Sequence, residues 1–225
     1  MSHTHEAGLR ARYAVREEDF THADWTVSVL LPRAADELID EGEYAVDERL
    51  PYWADLWPSA RALARHLLDG GADAWRGTRV IELGSGVALP SLALLRMGAD
   101  ALATDWYADA LAFARTNAWR NGLGELRTDP LDWHHPPPHE QFPRLIAADV
   151  LYEKRNADLL MDLLPRILAP GGVALIADPG RVYAGGFLDG MRALGWEVDV
   201  ADERREPSAA QAESLVRIHR LRAPE

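Results

Sequence analysis

A glutamate, two glycines and an aspartate are the residues whose types and spacing first indicate chemistry. Glu82, Gly84 and Gly86 follow a short apolar run, and Asp105 ends the next apolar run, 23 residues after Glu82. Glycines lack a Cβ, so they let the backbone approach a ligand closely and adopt dihedrals closed to other residues. An acid about 20 residues further on can accept hydrogen bonds from both hydroxyls of a ribose. The spacing therefore predicts a site for a nucleotide-like cofactor.

The charges around this loop distinguish between cofactors. A dinucleotide-binding loop would place a third glycine where the chain has Leu89, and it would hold a pyrophosphate with two negative charges. No Lys or Arg occurs between Ile81 and Leu95 to pair with those charges. S-adenosylmethionine (SAM) instead carries an ammonium and a sulfonium, which carboxylates near the loop would attract. The charges favour SAM over NAD.

Hydrophobic patterning places the loop between a strand and a helix. Arg79–Leu83 favours a strand, and Ala88–Met97 favours a helix with Pro90 and Ser91 in its first turn. Strands and helical segments of about 10 to 15 residues then alternate, which predicts right-handed crossovers and an α/β fold with a mostly parallel sheet. Later strands are predicted at Ala101–Asp105, Leu145–Asp149, Val173–Asp178, Trp196–Val200 and Leu215–Leu221, with helices at Ala108–Asn121 and Gly185–Leu194.

Acidic residues recur where these strands end. Asp105, Asp149 and Asp178 each close a predicted strand, and Glu82 lies just inside the end of another. The carboxyl ends of parallel strands meet at one edge of a sheet, and ligands bind at that edge. We therefore expect these acids to lie around a single site.

Composition limits the class of protein. The chain has 225 residues, of which 48% are hydrophobic, a formal net charge of −12 and no cysteine. These values favour one α/β domain with an extension, without disulfides or thiolate metal sites. The negative charge argues against nucleic acid as a partner. No apolar segment has the length of a signal-peptide core or a membrane span, so we expect a cytoplasmic protein that does not bind membranes.

The N-terminal residues, the histidine-containing stretch and a basic strip near the C-terminus are not predicted to take part in the site. Residues 1–8 are expected to be disordered, and a strand at Trp25–Leu31 and a helix at Ala34–Asp40 follow. The histidines of residues 134–139 are interrupted by three prolines and have no acid or cysteine to complete a ligand set, so we expect a surface loop and no metal. The basic strip Arg217–Arg222 is expected to protect an edge strand.

Aromatic residues crowd the entrance of a helix that is predicted to begin near Ser59. Tyr52, Trp53 and Trp57 precede it, and its apolar positions recur at helical spacing. Large aromatic side chains are good core anchors. These three therefore either plug the fold or form a lid over the site.

Several segments, in order along the chain, resemble one family. The loop Glu82-Leu-Gly-Ser-Gly-Val-Ala88 resembles the E-x-G-x-G-x-G loop of class I SAM-dependent methyltransferases, with Ala88 in place of the third glycine. Four segments are similar to the family-16, nicotinamide-methylase-like branch, which contains protein lysine methyltransferases. They are the aromatic entry to the helix near Ser59, Leu131-Asp132-Trp133, Asp149-Val-Leu-Tyr152 and Ala177-Asp-Pro-Gly-Arg-Val-Tyr183. Within that branch, the chain is similar to bacterial enzymes that methylate lysines of the electron-transfer flavoprotein β subunit. Those enzymes carry Trp-Pro-Gly-Gly-Gln where this chain has Trp57-Pro-Ser-Ala-Arg61.

The resemblance implies a Rossmann-like, doubly wound mixed sheet of seven strands, mostly parallel with the last strand antiparallel. This domain would span residues 51–225 and follow a small N-terminal extension of residues 1–50. The resemblance also implies roles for single residues. The methionine part of SAM would be faced by Glu82, Gly84, Ser85 and Gly86. Asp105 would bind the ribose, Trp106 and Trp133 would contact the adenine ring, Asp132 would accept from the adenine amino group, and Trp57 would cover the outer face of the cofactor. The methyl acceptor would be held by Asp149, which also borders the cofactor, and by Tyr152.

The activity that this resemblance implies is transfer of a methyl group from SAM to a lysine side chain of a protein, leaving S-adenosylhomocysteine. A small-molecule N-methyltransferase acting on a pyridine or an amine is an alternative, and so is a SAM-binding protein without catalysis. A nucleic-acid amino methyltransferase would carry an Asn/Asp-Pro-Pro-aromatic run where this chain has Asp149-Val-Leu-Tyr152. The sequence sets neither the acceptor, nor the number of methyl groups added, nor the oligomeric state.

Overall fold

A computed structural model describes residues 2–35, 38, 50–136, 140–208 and 212–225, and it contains a two-stranded hairpin and a seven-stranded sheet. The strands are β1 (Val15–His22), β2 (Trp25–Pro32), β3 (Arg79–Leu83), β4 (Asp100–Asp105), β5 (Arg127–Pro130), β6 (Phe142–Ala148), β7 (Leu168–Asp178), β8 (Glu197–Pro207) and β9 (Glu213–Arg222). The large sheet has the order β5-β4-β3-β6-β7-β9-β8. Its first five strands are parallel, and β9 runs antiparallel to both β7 and β8. The predicted mixed, mostly parallel sheet is confirmed.

Helices cover both faces of this sheet. They are α1 (Ser2–Arg12), α2 (Pro58–Asp69), α3 (Ala72–Trp75), α4 (Leu89–Arg96), α5 (Ala108–Arg120), α6 (Lys154–Ile167) and α7 (Ala184–Ala193), with a 3-10 turn at Tyr52–Ala54. Leu63 of α2 and Phe113 of α5 belong to the apolar core on one face, which also receives the β1–β2 hairpin. Leu160 of α6 and Phe187 of α7 belong to the core on the other face. The arrangement is therefore doubly wound.

The alternation of side chains along β3 determines where its acid points. Val80 packs in the α2–α4–α5 core, whereas Ile81 and Leu83 pack in the α6–α7 core. Successive residues of a strand face opposite sides of the sheet. Glu82 must therefore point to the same side as Val80, towards α4.

The C-terminal strands differ from the expectation in two ways. β8 continues well past the predicted end at Val200, and it forms a hairpin with β9. The basic strip Arg217–Arg222 lies in β9, which is an interior strand, so the predicted edge position is wrong. Its arginines pair with acids of the true edge strand β8, and Arg217 Nε lies 2.7 Å from Glu203. The arginines of β9 therefore pair with acids of the neighbouring strand β8, and local periodicity does not reveal such contacts between strands.

The N-terminal residues form α1, where residues 1–8 were expected to be disordered. Leu9 is buried in the core that receives the hairpin. Arg10 pairs with Glu6 in the same helix at 2.9 Å and with Glu17 of β1 at 2.5 Å. These tertiary contacts explain why a predominantly polar segment is helical, because short helices in water depend on packing more than on propensity.

The rest of the N-terminal region agrees with the expectation where it is described. The strand predicted at Trp25–Leu31 is present as β2. The helix predicted at Ala34–Asp40 lies mostly outside the described residues, as does His139 of the predicted surface loop. In the part of the chain that is described, no helix combines the length and the apolar character needed to cross a membrane.

Two asparagines, Asn117 of α5 and Asn121 directly after α5, take the place of a neighbouring strand for β2. Asn117 Oδ1 accepts a hydrogen bond from the N–H of Leu30 at 2.8 Å, and its Nδ2 donates to the carbonyl of Leu30 at 3.1 Å. One turn later, Asn121 makes the same pair of bonds with Ser28, at 2.9 and 3.0 Å. Asn117 Nδ2 also donates to the carbonyl of Val87, in the loop between β3 and α4, at 3.4 Å. The hairpin is thereby fixed both to α5 and to that loop.

Asn117→Leu should destabilise the protein because it leaves the buried N–H and carbonyl of Leu30 without partners. Each unsatisfied buried group costs about 1–3 kcal/mol, so we expect the free energy of unfolding to fall by about 2–5 kcal/mol in urea denaturation. Asn121→Leu is the matched control, and it should cost less because its bonds are only partly buried. Equal losses in the two variants would contradict the special position of Asn117.

Candidate active site

A cleft opens at the carboxyl ends of β3, β4 and β6 and encloses about 1110 Å³, part of it open to solvent. The strand register makes these ends level, since Leu83 lies opposite Thr104 of β4 and Ala147 of β6. All of the residues predicted for the site lie on the wall of this cleft: Trp57, Glu82, Gly84, Ser85, Gly86, Asp105, Trp106, Asp132, Trp133, Asp149 and Tyr152. The sheet therefore brings together side chains that are far apart in the sequence.

The loop between β3 and α4 needs its glycines for two separate reasons. Gly84 and Gly86 have φ of +61° and +52°, which side chains disfavour. A Cβ on Gly86 would also lie 3.1 Å from the carbonyl oxygen of Trp53, so the loop packs directly beneath the 3-10 turn. Ala88, which replaces the third glycine of the family pattern, keeps the same left-handed conformation with φ of +66°. The replacement thus preserves the shape of the loop.

The carboxylate of Asp105 connects this loop to the end of β4. Asp105 Oδ2 accepts a hydrogen bond from the N–H of Gly86 at 2.8 Å, and Oδ1 accepts one from the N–H of Tyr107 at 2.9 Å. Burial raises the pKa of Asp105, and these backbone donors act against that rise. A carboxylate has about four acceptor positions. The N–H groups of Gly86, Tyr107 and Trp106 take up three of them, so one position remains for a ligand in the cleft.

Glu82 occupies the inner wall of the cleft, but its carboxylate is engaged by α4. Glu82 Oε2 accepts hydrogen bonds from the N–H of Ser91, at 3.1 Å, and from the Ser91 hydroxyl. Burial raises the pKa of Glu82 to about 8, against these bonds and with a further contribution from Asp105. The predicted contact of Glu82 with a ligand is therefore shared with a structural role at the start of α4.

Ser85 presents a polar atom that the protein itself leaves unsatisfied. Its hydroxyl oxygen is buried and has no hydrogen-bond partner among the described residues. Buried polar groups in native proteins are nearly always paired, with protein, water or ligand. Ser85 lies on the wall of the cleft between the two glycines, where a bound ligand can supply the missing partner.

Asp132 is held by the two histidines that follow it. Its Oδ1 accepts from the N–H of His134 at 2.9 Å, and its Oδ2 lies 2.8 Å from His135 Nδ1. Burial acts to raise the pKa of Asp132, but these bonds outweigh it and lower the pKa to about 2. The predicted contact with an adenine amino group would have to share this carboxylate with them. Among the residues that the structure describes, no group of three or more His, Asp or Glu side chains has the arrangement of a metal site.

Asp149 has an unusual backbone conformation at the end of β6. Its φ is +58°, a left-handed value that Asp tolerates better than most residues, and its N–H donates to the carbonyl of Ala177 in β7 at 2.9 Å. Its carboxylate is buried and makes two contacts. Oδ1 accepts from Arg181 Nε at 2.7 Å, and Oδ2 accepts from the Ser59 hydroxyl at 3.2 Å. The acid predicted to hold the acceptor is therefore already paired with a cation.

A second cavity of about 520 Å³ adjoins the cleft and shares part of its wall. It is lined by Tyr52, Trp57, Asp149, Tyr152, Glu153 and Arg181. The rings of Tyr52 and Tyr152 are 5.0 Å apart and nearly perpendicular, and the rings of Tyr52 and Trp57 are 6.0 Å apart. Burial raises the pKa of Tyr152, so its phenol stays neutral at physiological pH. Trp57, which was expected to cover a cofactor, lies at the junction of the two cavities.

Sequence reasoning missed Arg181 and Ser59 as members of this site. Both lie within segments that were singled out, Arg181 in Ala177-Asp-Pro-Gly-Arg-Val-Tyr183 and Ser59 at the departure from Trp-Pro-Gly-Gly-Gln. The available signal was that Arg181 follows the acid-ended strand β7 by three residues, which places it at the ligand edge. The contacts themselves join residues 32 and 90 positions apart, beyond the reach of local patterns.

Comparisons with known proteins agree with this geometry. The sequence profile of a family described as lysine methyltransferase matches residues 52–184. An electron transfer flavoprotein beta subunit lysine methyltransferase of Xenopus laevis is 36% identical over 58% of this chain and 53% of its own length. A protein-lysine N-methyltransferase of Schizosaccharomyces pombe is 28% identical over 68% of this chain and 51% of its own length. The chain thus spans about half the length of these relatives.

A solved structure shows the same fold at low sequence identity. The magnesium protoporphyrin IX methyltransferase of Synechocystis, determined with bound SAM, superposes with a TM-score of 0.58 at 14% identity. The match covers 73% of this chain and 78% of that protein. The family profile covers more than half of the chain and spans both cavities, from Tyr52 to beyond Arg181. The chain belongs to the lysine methyltransferase family.

Proposed function

We propose that the protein is a SAM-dependent N-methyltransferase that modifies a lysine side chain of a protein. The observation that carries this proposal is the junction of two cavities at Asp149, one suited to a nucleoside and the other to an amine. The family and the names of the relatives support a protein lysine as acceptor. The β subunit of an electron-transfer flavoprotein is the first substrate to test.

The residues of the larger cleft fit SAM in shape and in charge. Asp105 keeps an acceptor position for a ribose hydroxyl, and Ser85 keeps an unsatisfied hydroxyl beside the glycine loop. Trp106 lies on the wall of the cleft and is 46% exposed, and an indole ring can stack on a flat base. The carboxylates of Asp105 and Asp132 on the wall attract a cation and repel a pyrophosphate. SAM, when bound, supplies a methyl group on a positively charged sulfur. A nucleophile can attack the methyl carbon in line with the carbon–sulfur bond, and the sulfur leaves as a neutral thioether.

The smaller cavity fits an amine. A lysine has a pKa near 10.4, so holding it neutral at pH 7 costs roughly 4–5 kcal/mol. Desolvation between the side chains of Tyr52, Trp57 and Tyr152 would lower the pKa of a buried amine. Asp149, at the mouth of the cavity, can accept a hydrogen bond from an amine N–H and orient the nitrogen lone pair. Correct alignment of a nucleophile is worth several kcal/mol in a displacement reaction.

Asp149→Asn tests the role of the acid without disturbing the backbone, because Asn also tolerates a left-handed conformation. We expect methylation to fall about 10²-fold or more, while S-adenosylhomocysteine binding, measured by calorimetry, stays near the wild-type value. Labelled SAM should mark a discrete protein band in cell lysate and the purified flavoprotein subunit. Asp158→Asn, an exposed acid on α6, is the matched control and should be silent.

Two results would contradict this assignment. Methylation at the wild-type rate by Asp149→Asn would remove the acid from the mechanism. Label appearing only in the small-molecule fraction of the lysate would instead identify a small-molecule N-methyltransferase.

Glu82 should make stability depend on pH. Because its pKa is about 8 in the fold and near 4.5 otherwise, the folded state binds the extra proton in that range. The free energy of unfolding should therefore fall as pH rises from about 4.5 to about 8, by up to about 1.4 kcal/mol per pH unit. Glu82→Gln, which cannot ionise, should lose this dependence and gain stability relative to wild type as pH rises.

The measurement is urea denaturation of both proteins from pH 5 to pH 8. Other titrating groups are common to both, so they cancel in the difference between the two curves. Glu140→Gln changes an exposed acid and should run parallel to wild type. A constant difference between Glu82→Gln and wild type across this range would mean that Glu82 is ionised in the fold.

A further inference from the structure

Arg181 is aimed into the smaller cavity by a turn that follows β7. Asp178 Oδ1 accepts hydrogen bonds from the N–H groups of Gly180, at 2.7 Å, and of Arg181, at 2.8 Å. This turn sends the chain back across the edge of the sheet. The Arg181 side chain, 34% exposed, then reaches Asp149 with Nε at 2.7 Å. Asp178 therefore fixes the backbone of Arg181, and Asp149 fixes its guanidinium.

The surroundings of this guanidinium are those of a cation-binding cage. Its Cζ lies 5.6 Å from the centre of the Trp57 ring, and the rings of Tyr52 and Tyr152 complete the aromatic wall. Aromatic rings with a nearby carboxylate bind ammonium groups in many proteins. Glu153 is paired with Arg155, which leaves Asp149 as the carboxylate that faces the cage. The cation that this cage would recognise is thus already supplied by the chain itself.

We propose that Arg181 determines the specificity of the acceptor site: it takes the position of a cation, so the cage accepts a neutral amine and disfavours permanently charged groups. This inference rests on the proposed function, in which the cage is the acceptor site. Because Arg181 already neutralises Asp149, an incoming ammonium finds no unpaired carboxylate in the cage, and the guanidinium repels it as a like charge. A neutral amine carries no charge, so the guanidinium does not repel it. A trimethylated lysine cannot lose its positive charge, whereas lysine becomes neutral when it loses a proton, so the same guanidinium disfavours a trimethylated product.

The test uses two probes that do not titrate, on protein without SAM. One is the N-acetyl amide of trimethyllysine, which is permanently cationic, and the other is its carbon isostere, in which a tert-butyl group replaces the trimethylammonium. Their dissociation constants are measured by calorimetry. We expect the wild type to bind the cation no tighter than the isostere. Arg181→Gln should bind the cation at least tenfold tighter than the isostere, and Arg181→Lys, which keeps the charge, should behave as the wild type does.

A purely structural ion pair would give a different pattern. A wild-type preference of tenfold or more for the cationic probe overturns the proposal, whether or not the variants fold. Equal binding of both probes by folded Arg181→Gln also overturns it, because the cage would then not recognise cations. Neither result depends on methyl transfer. A failure of the proposed activity therefore shows in the turnover of Asp149→Asn and wild type, and a failure of this inference shows in the probe ratio.

Discussion

The hydrogen bonds between Asp105 and the backbone N–H groups of Gly86 and Tyr107 are the interaction on which the rest of the site depends. They join the end of β4 to the loop that follows β3, and they set the glycine loop at the floor of the cleft. A short polar side chain can do this because parallel strands end at the same edge of the sheet, only one strand spacing apart. In the proposed function, the same carboxylate also accepts a hydrogen bond from a ribose hydroxyl. One residue would then both shape the loop and bind the ligand.

The loop is held from the other side as well. The 3-10 turn lies against Gly86, and Asn117 of α5 reaches both β2 and the carbonyl of Val87. The N-terminal hairpin therefore packs on the helix that also supports the cofactor loop, and it shares one apolar core with α2 and α5. Burial of many polar contacts at one place is costly unless each is paired. This explains why the loop can carry three left-handed residues and remain in one conformation.

Charge is divided unequally between the two cavities. On the side of the glycine loop, the carboxylate of Asp105 lies on the wall, and the sequence from Ile81 to Leu95 contains no Lys or Arg. On the side of Asp149, the guanidinium of Arg181 offsets the acid. A positively charged donor and a neutral acceptor are the pair of reactants that this division suits.

Much of this could be predicted from the sequence, and the exceptions have a common cause. Local periodicity and spacing predicted six strands of the large sheet, the helices α2, α4, α5 and α7, the glycine loop and the acids at strand ends, and all eleven predicted site residues line the cleft. The helix α6 was not predicted. The helix α1, the interior position of β9 and the ladder of Asn117 and Asn121 did not follow, because each depends on a contact with a distant segment. Arg181 is the clearest case. Its motif was visible, but its partner Asp149 is 32 residues away and is reached only through the fold.

The most direct test is a calorimetric titration of S-adenosylhomocysteine into wild type, Asp105→Asn and Asp100→Asn. Asp100 lies at the opposite end of β4 and is exposed, so its variant is a control on the same strand. We predict binding to wild type and to Asp100→Asn with similar affinity, and binding to Asp105→Asn that is weaker by about tenfold or more, as for the loss of a charge-assisted hydrogen bond. Equal affinity for Asp105→Asn, or a wild-type protein that binds NAD and gives no heat with S-adenosylhomocysteine, would contradict the account.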